Sequence, residues 1–354
     1  MMSTNSCILI NGRKVGADHP PLVIAEMSGN HNQSLDRAMK LVYAAAKAGA
    51  HAIKLQTASP DGLTLDVDSP EFLIDDPASP WFGRYLHQLY KEAVTPWEWH
   101  KPIFERCNEL GLTVFSSPFE PSAIDLLEEL NAPCYKIASF ELLDLPLIRK
   151  AAATGKPLIM STGMASVSEI QDAVEAAKRA GNNNIILLKC TSSYPATAAD
   201  ANVATIPHLR EMFGLQVGLS DHTLGIGVSC TAAALGATVI EKHFTLKRSD
   251  GGVDSTFSLE PHEFAALVEE SERAWASVGS IVYGGTAIEQ KSLKFRRSLY
   301  IAKNLKAGDI LTVENLRIVR PGYGLAPKNI DVLLGRKINR DLDAGTAMKW
   351  EFIG

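Results

Sequence analysis

The sequence predicts an α/β fold: a (β/α)8 TIM barrel carrying an N-terminal β-hairpin and a small β-rich C-terminal domain. Three observations carry this. Eight short apolar runs alternate with longer amphipathic stretches between residues 21 and 285. The runs are rich in Val, Ile and Leu, as expected of parallel strands buried on both faces. Beyond about residue 285 the texture changes to short strands and turns such as "KAGD" and "DAGT". With 354 residues and 46% hydrophobic content, the chain can bury a full core and still hold an appendage. The expected division is 1–285 for the barrel and 286–354 for the small domain.

Taken in order, residues 1–20 contain "SCILINGRKVG", a hairpin expected to plug the barrel bottom. The first four apolar runs are "PLVIAEM" (21–27), "AHAIKLQT" (50–57), "LTVFSSPF" (112–119) and "PCYKIASF" (133–140). The last four are "PLIMSTGM" (157–164), "NIILLKCTSS" (184–193), "QVGLSDH" (216–222) and "ATVIEKHF" (237–244). Helical patterns lie between them. "SLDRAMKLVYAAAKAGA" opens on a capping Ser and closes near Gly49. "TPWEWHKPIFERCNELG" places Thr95 as a cap, Pro96 at the first helical position and Gly111 after the end. "SVSEIQDAVEAAKRAG" carries a capping box, Ser166 with Glu169. "GIGVSCTAAALGA" reads as a small-residue helix, and 265–290 as the last barrel helix with a linker. An open doubly wound sheet would need a Gly-rich phosphate turn after an early strand, and no GxGxxG is present. The connection 58–94 is long for a compact domain, as a lid or binding loop would be.

Composition excludes several classes. The formal net charge is −5, with mixed signs and no basic stripe, so nucleic acid is not an expected partner. No run of about 20 apolar residues exists to span a bilayer, so no membrane partner is expected. Five widely spaced cysteines without a CxxC pair argue against disulfide frameworks and zinc knuckles. The N-terminus lacks a charged stretch followed by an apolar one, so a cytoplasmic location is expected.

In a barrel of this class the C-terminal strand ends face the active site. Here those ends carry Glu26, Lys54, Ser116 and Ser117, Lys136 and Ser139, then Ser161 and Thr162. Thr191 and Ser192, Ser220 and His222, and Glu241 and His243 complete the set. A buried Lys or Glu is costly without a partner, so a closing core alone would not select them. Lys54 and Lys136 with the hydroxyls of Ser117, Ser139, Ser161 and Ser220 make an anion cradle suited to phosphate. His222 and His243 follow the seventh and eighth runs. Two imidazoles with no thiolate nearby in sequence suggest an open divalent site, with Mn²⁺ expected and Mg²⁺ or Co²⁺ as alternatives. Glu26 and Glu241 are the candidates for acid–base work or for facing a cationic intermediate.

The motifs "IAEMSGNHNQSLDRAMKLVYAAAKAGAHAIKLQT", "FSSPF", "YKIAS", "STGM", "KCTSSYP", "GLSDHTLG" and "IEKHFTL" resemble the sialic acid synthase family of phosphoenolpyruvate-dependent sugar-acid synthases. The tail with "RPGYGL" is similar to that family's antifreeze-like (SAF) domain. The resemblance implies condensation of phosphoenolpyruvate with an open-chain amino-sugar aldehyde, releasing phosphate by C–O cleavage. It implies that His222 and His243 bind the divalent ion, and that Lys54, Ser117, Lys136, Ser139, Ser161 and Ser220 hold phosphoenolpyruvate. Glu26 then stands near the oxocarbenium-like centre, and Ser192, Tyr194 and Asp254 join the substrate contacts. Arg320 matches an arginine that the SAF domain inserts into the partner subunit's site, which implies a homodimer with swapped C-terminal domains. "DSTFSL", "KIASFE", "GLSDHTLG" and "TPWEWH" resemble the pseudaminic branch, whose sugar is a diacetamido trideoxy hexose. Phe140 and Phe257 are then expected against its methyl and acetamido groups. The alternatives are the legionaminic and N-acetylneuraminic branches and, from another class, a non-catalytic carbohydrate-binding protein.

Overall fold

The computed structural model describes residues 7–77 and 79–354; Ser6, the first residue of the expected hairpin, lies outside them. The chain divides into two compact units, one ending at Gly279 and the other spanning Ser280–Gly354. The first unit opens with the hairpin β1 (Ile8–Ile10) and β2 (Arg13–Val15). Eight parallel strands follow: β3 (Leu22–Glu26), β4 (Ala52–Thr57), β5 (Thr113–Pro118), β6 (Tyr135–Ile137), β7 (Leu158–Ser161), β8 (Ile185–Cys190), β9 (Gln216–Asp221) and β10 (Val239–His243). They close into a barrel, β10 pairing with β3.

Each strand alternates between two cores. Val23, Ala25, Ile53, Leu55, Val217, Leu219 and Ile240 belong to the outer layer between strands and helices. Leu22, Ile24, Ala52, Ile186, Leu188 and Val239 fill the barrel interior together with Ile8, Ile10 and Val15 of the hairpin. The hairpin therefore seals the N-terminal end, as expected. At Gly218 a Cβ would lie 2.3 Å from the Val239 carbonyl oxygen and 2.8 Å from Leu188 Cδ2. Only glycine fits there, because interior packing leaves no room for another carbon.

Helix α1 (Leu35–Lys47) is capped by Ser34, as expected. The insertion after β4 is not featureless: it holds α2 (Pro60–Leu63), a 3-10 turn at Pro70–Phe72 and α3 (Leu86–Ala93). In α4 (Trp97–Glu109) Pro96 is the N-cap residue, so it is not the first helical position and Thr95 is not the cap. The Thr95 hydroxyl is instead buried 3.4 Å from His31 Nε2. Helices α5 (Pro121–Glu129), α6 (Leu145–Ala153), α7 (Val167–Arg179), α8 (Thr205–Phe213) and α9 (Gly227–Ala234) follow their strands, and Ser166 and Glu169 form the expected capping box. The last barrel helix, α10 (Pro261–Val278), starts before residue 265, because Glu260 and Glu263 already form a capping box. Among the described residues no helix is long and apolar enough to cross a membrane.

The second unit pairs β11 (Ser298–Ile301) with β12 (Leu316–Val319) in antiparallel fashion. It has its own small core, including Leu299, Ile301, Leu316, Leu333 and Met348.

Candidate active site

The inward rungs at the C-terminal strand ends are polar and buried. Glu26 and Lys54, Cα partners on β3 and β4, form a close ion pair. Lys54 Nζ also donates to Ser117 Oγ at 3.2 Å. Lys136 Nζ donates to Ser161 Oγ at 2.6 Å. Glu241 sits between the lysines, with Oε2 3.9 Å from Lys54 Nζ and Oε1 3.5 Å from Lys136 Nζ. It also accepts the Ser220 hydroxyl at 2.8 Å. Ser116, in contrast, turns out of the barrel to Thr57, 2.6 Å away, whose hydroxyl also meets His100. Alternation along β5 sends neighbours to opposite faces, so only Ser117 of the two joins the cradle.

Burial opposes charge on both carboxyls, and the outcome differs. Glu26 is pushed up to about 7 by desolvation against the pull of Lys54. Glu241 is desolvated too, but Lys136 and Lys54 together outweigh this and hold it below the usual range. Carboxyls driven apart by their surroundings are suited to different roles, one near proton-transfer range and one as a fixed anion. Two ammonium groups among aligned hydroxyls can hold a phosphate ester.

The next three loops meet around Gly163. Its N–H donates to Ser139 Oγ at 3.2 Å. A Cβ at Gly163 would lie 2.2 Å from Ser192 Oγ and 2.8 Å from Ser139 Oγ. Glycine thus lets the loops after β6, β7 and β8 bring both serines to one point.

His222 and His243 stand with ring centroids 5.3 Å apart. His222 Nδ1 is 2.9 Å from the Thr191 carbonyl oxygen, to which it donates. In the neutral ring that bond places the lone pair on Nε2; burial lowers the His222 pKa, but Cys190 and the Thr191 carbonyl outweigh it and raise the pKa, so an ion would displace a proton from Nε2. His243 is held neutral, its pKa driven far down by desolvation and by His222 beside it. Its Nδ1 is buried without a hydrogen-bond partner, 3.8 Å from Asp254. Ser28 Oγ donates to Asp254 in a close contact. Among the described residues no group of three or more His, Cys, Asp or Glu side chains is arranged to hold a metal ion. The pair nevertheless fits one: His243 is neutral, the Nδ1 bond of His222 leaves its Nε2 for an ion, and an ion held by two nitrogens keeps positions open for water and substrate.

An aromatic wall flanks the histidines. Tyr194 lies 4.4 Å from His222 and 5.4 Å from Phe257, centroid to centroid. Phe257 is buried 5.0 Å from His243. Trp81, from the 58–94 insertion, reaches Tyr194 at 5.8 Å and donates its indole N–H to the Val253 carbonyl at 2.9 Å. Phe140 differs from Phe257: it is 62% exposed, on the rim. Every expected site residue except Arg320 thus lies in the barrel unit, around its mouth. Arg320 is exposed in the second unit, just after β12.

Four residues of this site went unnamed in the sequence reading. Gln56 Nε2 donates to Glu26 at 3.3 Å, and its position two residues beyond Lys54 on the same strand face is a usable signal. Glu141, in "KIASFE", is pushed up to about 7 by burial, and its Oε2 has no hydrogen-bond partner. Cys190 Sγ lies 3.9 Å from His222 Nδ1. Trp81 comes from a loop whose path no periodicity predicts.

Residues 41–283 match the model of the NeuB family, and residues 296–353 that of the SAF domain. The chain is 44% identical to the pseudaminic acid synthase of Campylobacter jejuni (strain 81-176), over 94% of this chain and 96% of that one. It is 42% identical to the pseudaminic acid synthase of Helicobacter pylori, over 93% of this chain and 96% of that one. The crystal structure of N-acetylneuraminic acid synthetase from Leptospira borgpetersenii superposes with a TM-score of 0.72 at 33% identity, covering 82% of this chain and 96% of that one.

Proposed function

The chain belongs to the NeuB family, and on that premise we propose that it is a pseudaminic acid synthase. It joins phosphoenolpyruvate to 2,4-diacetamido-2,4,6-trideoxy-β-L-altropyranose with water, giving pseudaminic acid and phosphate. The observation that carries this reading is identity of 42–44% over nearly the whole chain to two pseudaminic acid synthases, against 33% to the N-acetylneuraminic enzyme. The aromatic wall supports it, since Trp81, Tyr194 and Phe257 suit a sugar bearing a methyl and two acetamido groups.

In this reading Lys54, Lys136, Ser117 and Ser161 hold phosphoenolpyruvate. Its C3 bonds to the aldehyde carbon, a water oxygen bonds to C2, the C2–O bond breaks and phosphate leaves. Glu26 faces the charge that develops at C2 and, near proton-transfer range, manages the proton of the adding water. Glu241 keeps both lysines aligned. Ser139, Ser192, Ser220, Tyr194 and Asp254 complete the substrate contacts. His222 and His243 would hold a divalent ion, Mn²⁺ with Mg²⁺ or Co²⁺ as alternatives, which supplies polarisation of the aldehyde oxygen.

The functional division is put at 285/286, a few residues beyond the end of the first compact unit at Gly279 and before β11. The same reading makes the protein a cytoplasmic homodimer with exchanged C-terminal domains, Arg320 serving the partner's site. The exposed rim of Phe140, Leu143, Met164 and Leu224 around the mouth supports a cover from a second copy.

The test is phosphate release from phosphoenolpyruvate with Mn²⁺, run in parallel with the diacetamido altrose sugar, the legionaminic precursor and N-acetylmannosamine. Turnover with the first alone is expected. Turnover only with one of the others would reassign the branch. No phosphate from any sugar, and indifference to EDTA, would favour a carbohydrate-binding protein.

A further inference from the structure

One outward-facing rung of the barrel departs from its apolar pattern. Asp221 and Lys242 are Cα partners in the β9–β10 ladder, two residues beyond the apolar partners Leu219 and Ile240. Their side chains are each 1% exposed, with Asp221 Oδ2 2.8 Å from Lys242 Nζ. Every polar atom of the pair is used. Oδ1 accepts the Thr223 N–H at 2.9 Å and its hydroxyl at 2.7 Å. Oδ2 also accepts the Ser229 hydroxyl at 2.6 Å, from α9. Lys242 Nζ donates to the Thr223 carbonyl oxygen at 2.6 Å.

A buried ion pair gains little stability over a well-packed apolar pair of similar volume, so stability does not account for it. What it fixes is backbone. Asp221 and Thr223 bracket His222, and Lys242 precedes His243. Lys242 ties itself to Thr223 beyond the last ladder bond, cross-linking the two strand ends from outside. Successive strand residues point to opposite faces, so the histidines project inward while this pair is anchored outward. On the other side the Ala196 N–H donates to the His222 carbonyl oxygen at 3.1 Å.

We propose that the Asp221–Lys242 pair is a positioning device that sets the spacing of His222 and His243 for a shared divalent cation. This rests on the reading of those histidines as metal ligands. Groups that orient ligands from behind are expected to change metal affinity by about 10–100-fold when removed. The variant for the test is Asp221→Asn/Lys242→Met, which keeps both shapes, removes the cross-link and leaves no buried charge.

The experiment titrates Mn²⁺ by electron paramagnetic resonance into the full-length wild type, this double variant, His243→Ala and Ser229→Ala, with thermal melting of each. The wild type should bind Mn²⁺ and His243→Ala should not. The double variant should melt cooperatively and bind Mn²⁺ at least about 10-fold more weakly. Wild-type affinity in the folded double variant would overturn the positioning role and leave the metal reading intact. Should the double variant not fold, Ser229→Ala decides: it removes one charge-assisted hydrogen bond to Asp221, so a loss of about threefold or more supports the proposal, and no loss overturns it. Wild-type binding that is absent, or that survives His243→Ala, would sink the metal reading and this proposal with it.

Discussion

His222 and His243 end two neighbouring strands with their ring centroids 5.3 Å apart, one oriented by the Thr191 carbonyl and the other buried with a free Nδ1. Desolvation keeps His243 neutral, which is the form a metal needs. His243→Ala should lower metal-dependent turnover by roughly three orders of magnitude, a few kcal/mol of lost Lewis-acid assistance. The barrel should stay folded, since the imidazole removed has an unsatisfied nitrogen. Kinetics at saturating Mn²⁺ with a circular-dichroism melt checks both halves; retained turnover would refute the role.

The pKa of Glu26 is raised to about 7, as that of Glu141 is, but Glu26 alone of the two pairs directly with Lys54, while Glu241 is held ionised. Glu26→Gln should lower kcat by about 10²–10⁴-fold while the KM for phosphoenolpyruvate changes little. Breaking its close pair with buried Lys54 should also cost about 3 kcal/mol of stability. Steady-state kinetics and urea denaturation separate the effects. An unchanged kcat would remove Glu26 from the chemistry.

The aromatic wall should act on the sugar and not on phosphoenolpyruvate. Trp81→Ala should raise the KM for the diacetamido sugar about 10-fold, the scale of one aromatic contact, and leave that for phosphoenolpyruvate unchanged. Phe257→Leu should do the same and also destabilise, being buried, whereas exposed Phe140→Gly should leave the melting temperature unchanged. If Phe140→Gly also leaves the sugar KM unchanged, Phe140 has no part in sugar recognition.

Two histidines away from His222 and His243 make the fold acid-sensitive. His51 Nδ1 accepts the Val23 N–H at 2.9 Å, and His31 Nδ1 accepts the Gln33 N–H at 3.2 Å. Burial drives both pKa values down to about 4. The unfolded chain binds these protons first, near pH 6.5, so stability is full above that pH. It is lost as pH falls from about 6.5 to about 4, by about 1.4 kcal/mol per pH unit for each histidine. Asn can offer an acceptor in place of Nδ1 without titrating, so His51→Asn should flatten one share of this slope. Denaturation at several pH values measures it; a slope identical to wild type would count against the assignment.

Much of the fold was legible because each strand is a short apolar run between capped helices, and a parallel barrel demands that pattern. The clustering of charges at the mouth was legible for a related reason: Lys54, Lys136 and Glu241 have no place in a closing core, so their position at run ends marks a mouth. Ser116 shows the limit. It sits at the same strand end as Ser117, yet turns out of the barrel to Thr57, and only the register of the closed barrel tells the two apart.

By itself, then, the sequence determined the alternation of elements and the chemical types gathered at the mouth, since hydrophobic period and residue type are local properties. The tertiary structure decided which neighbour faces in, which loops meet and which charges pair. It turned Asp221 and Lys242 outward as a satisfied pair behind the histidines, and carried Trp81 from a distant insertion to Tyr194. It buried Phe257 while leaving Phe140 exposed. These follow from barrel closure and side-chain packing between residues far apart in the chain, which no local pattern encodes.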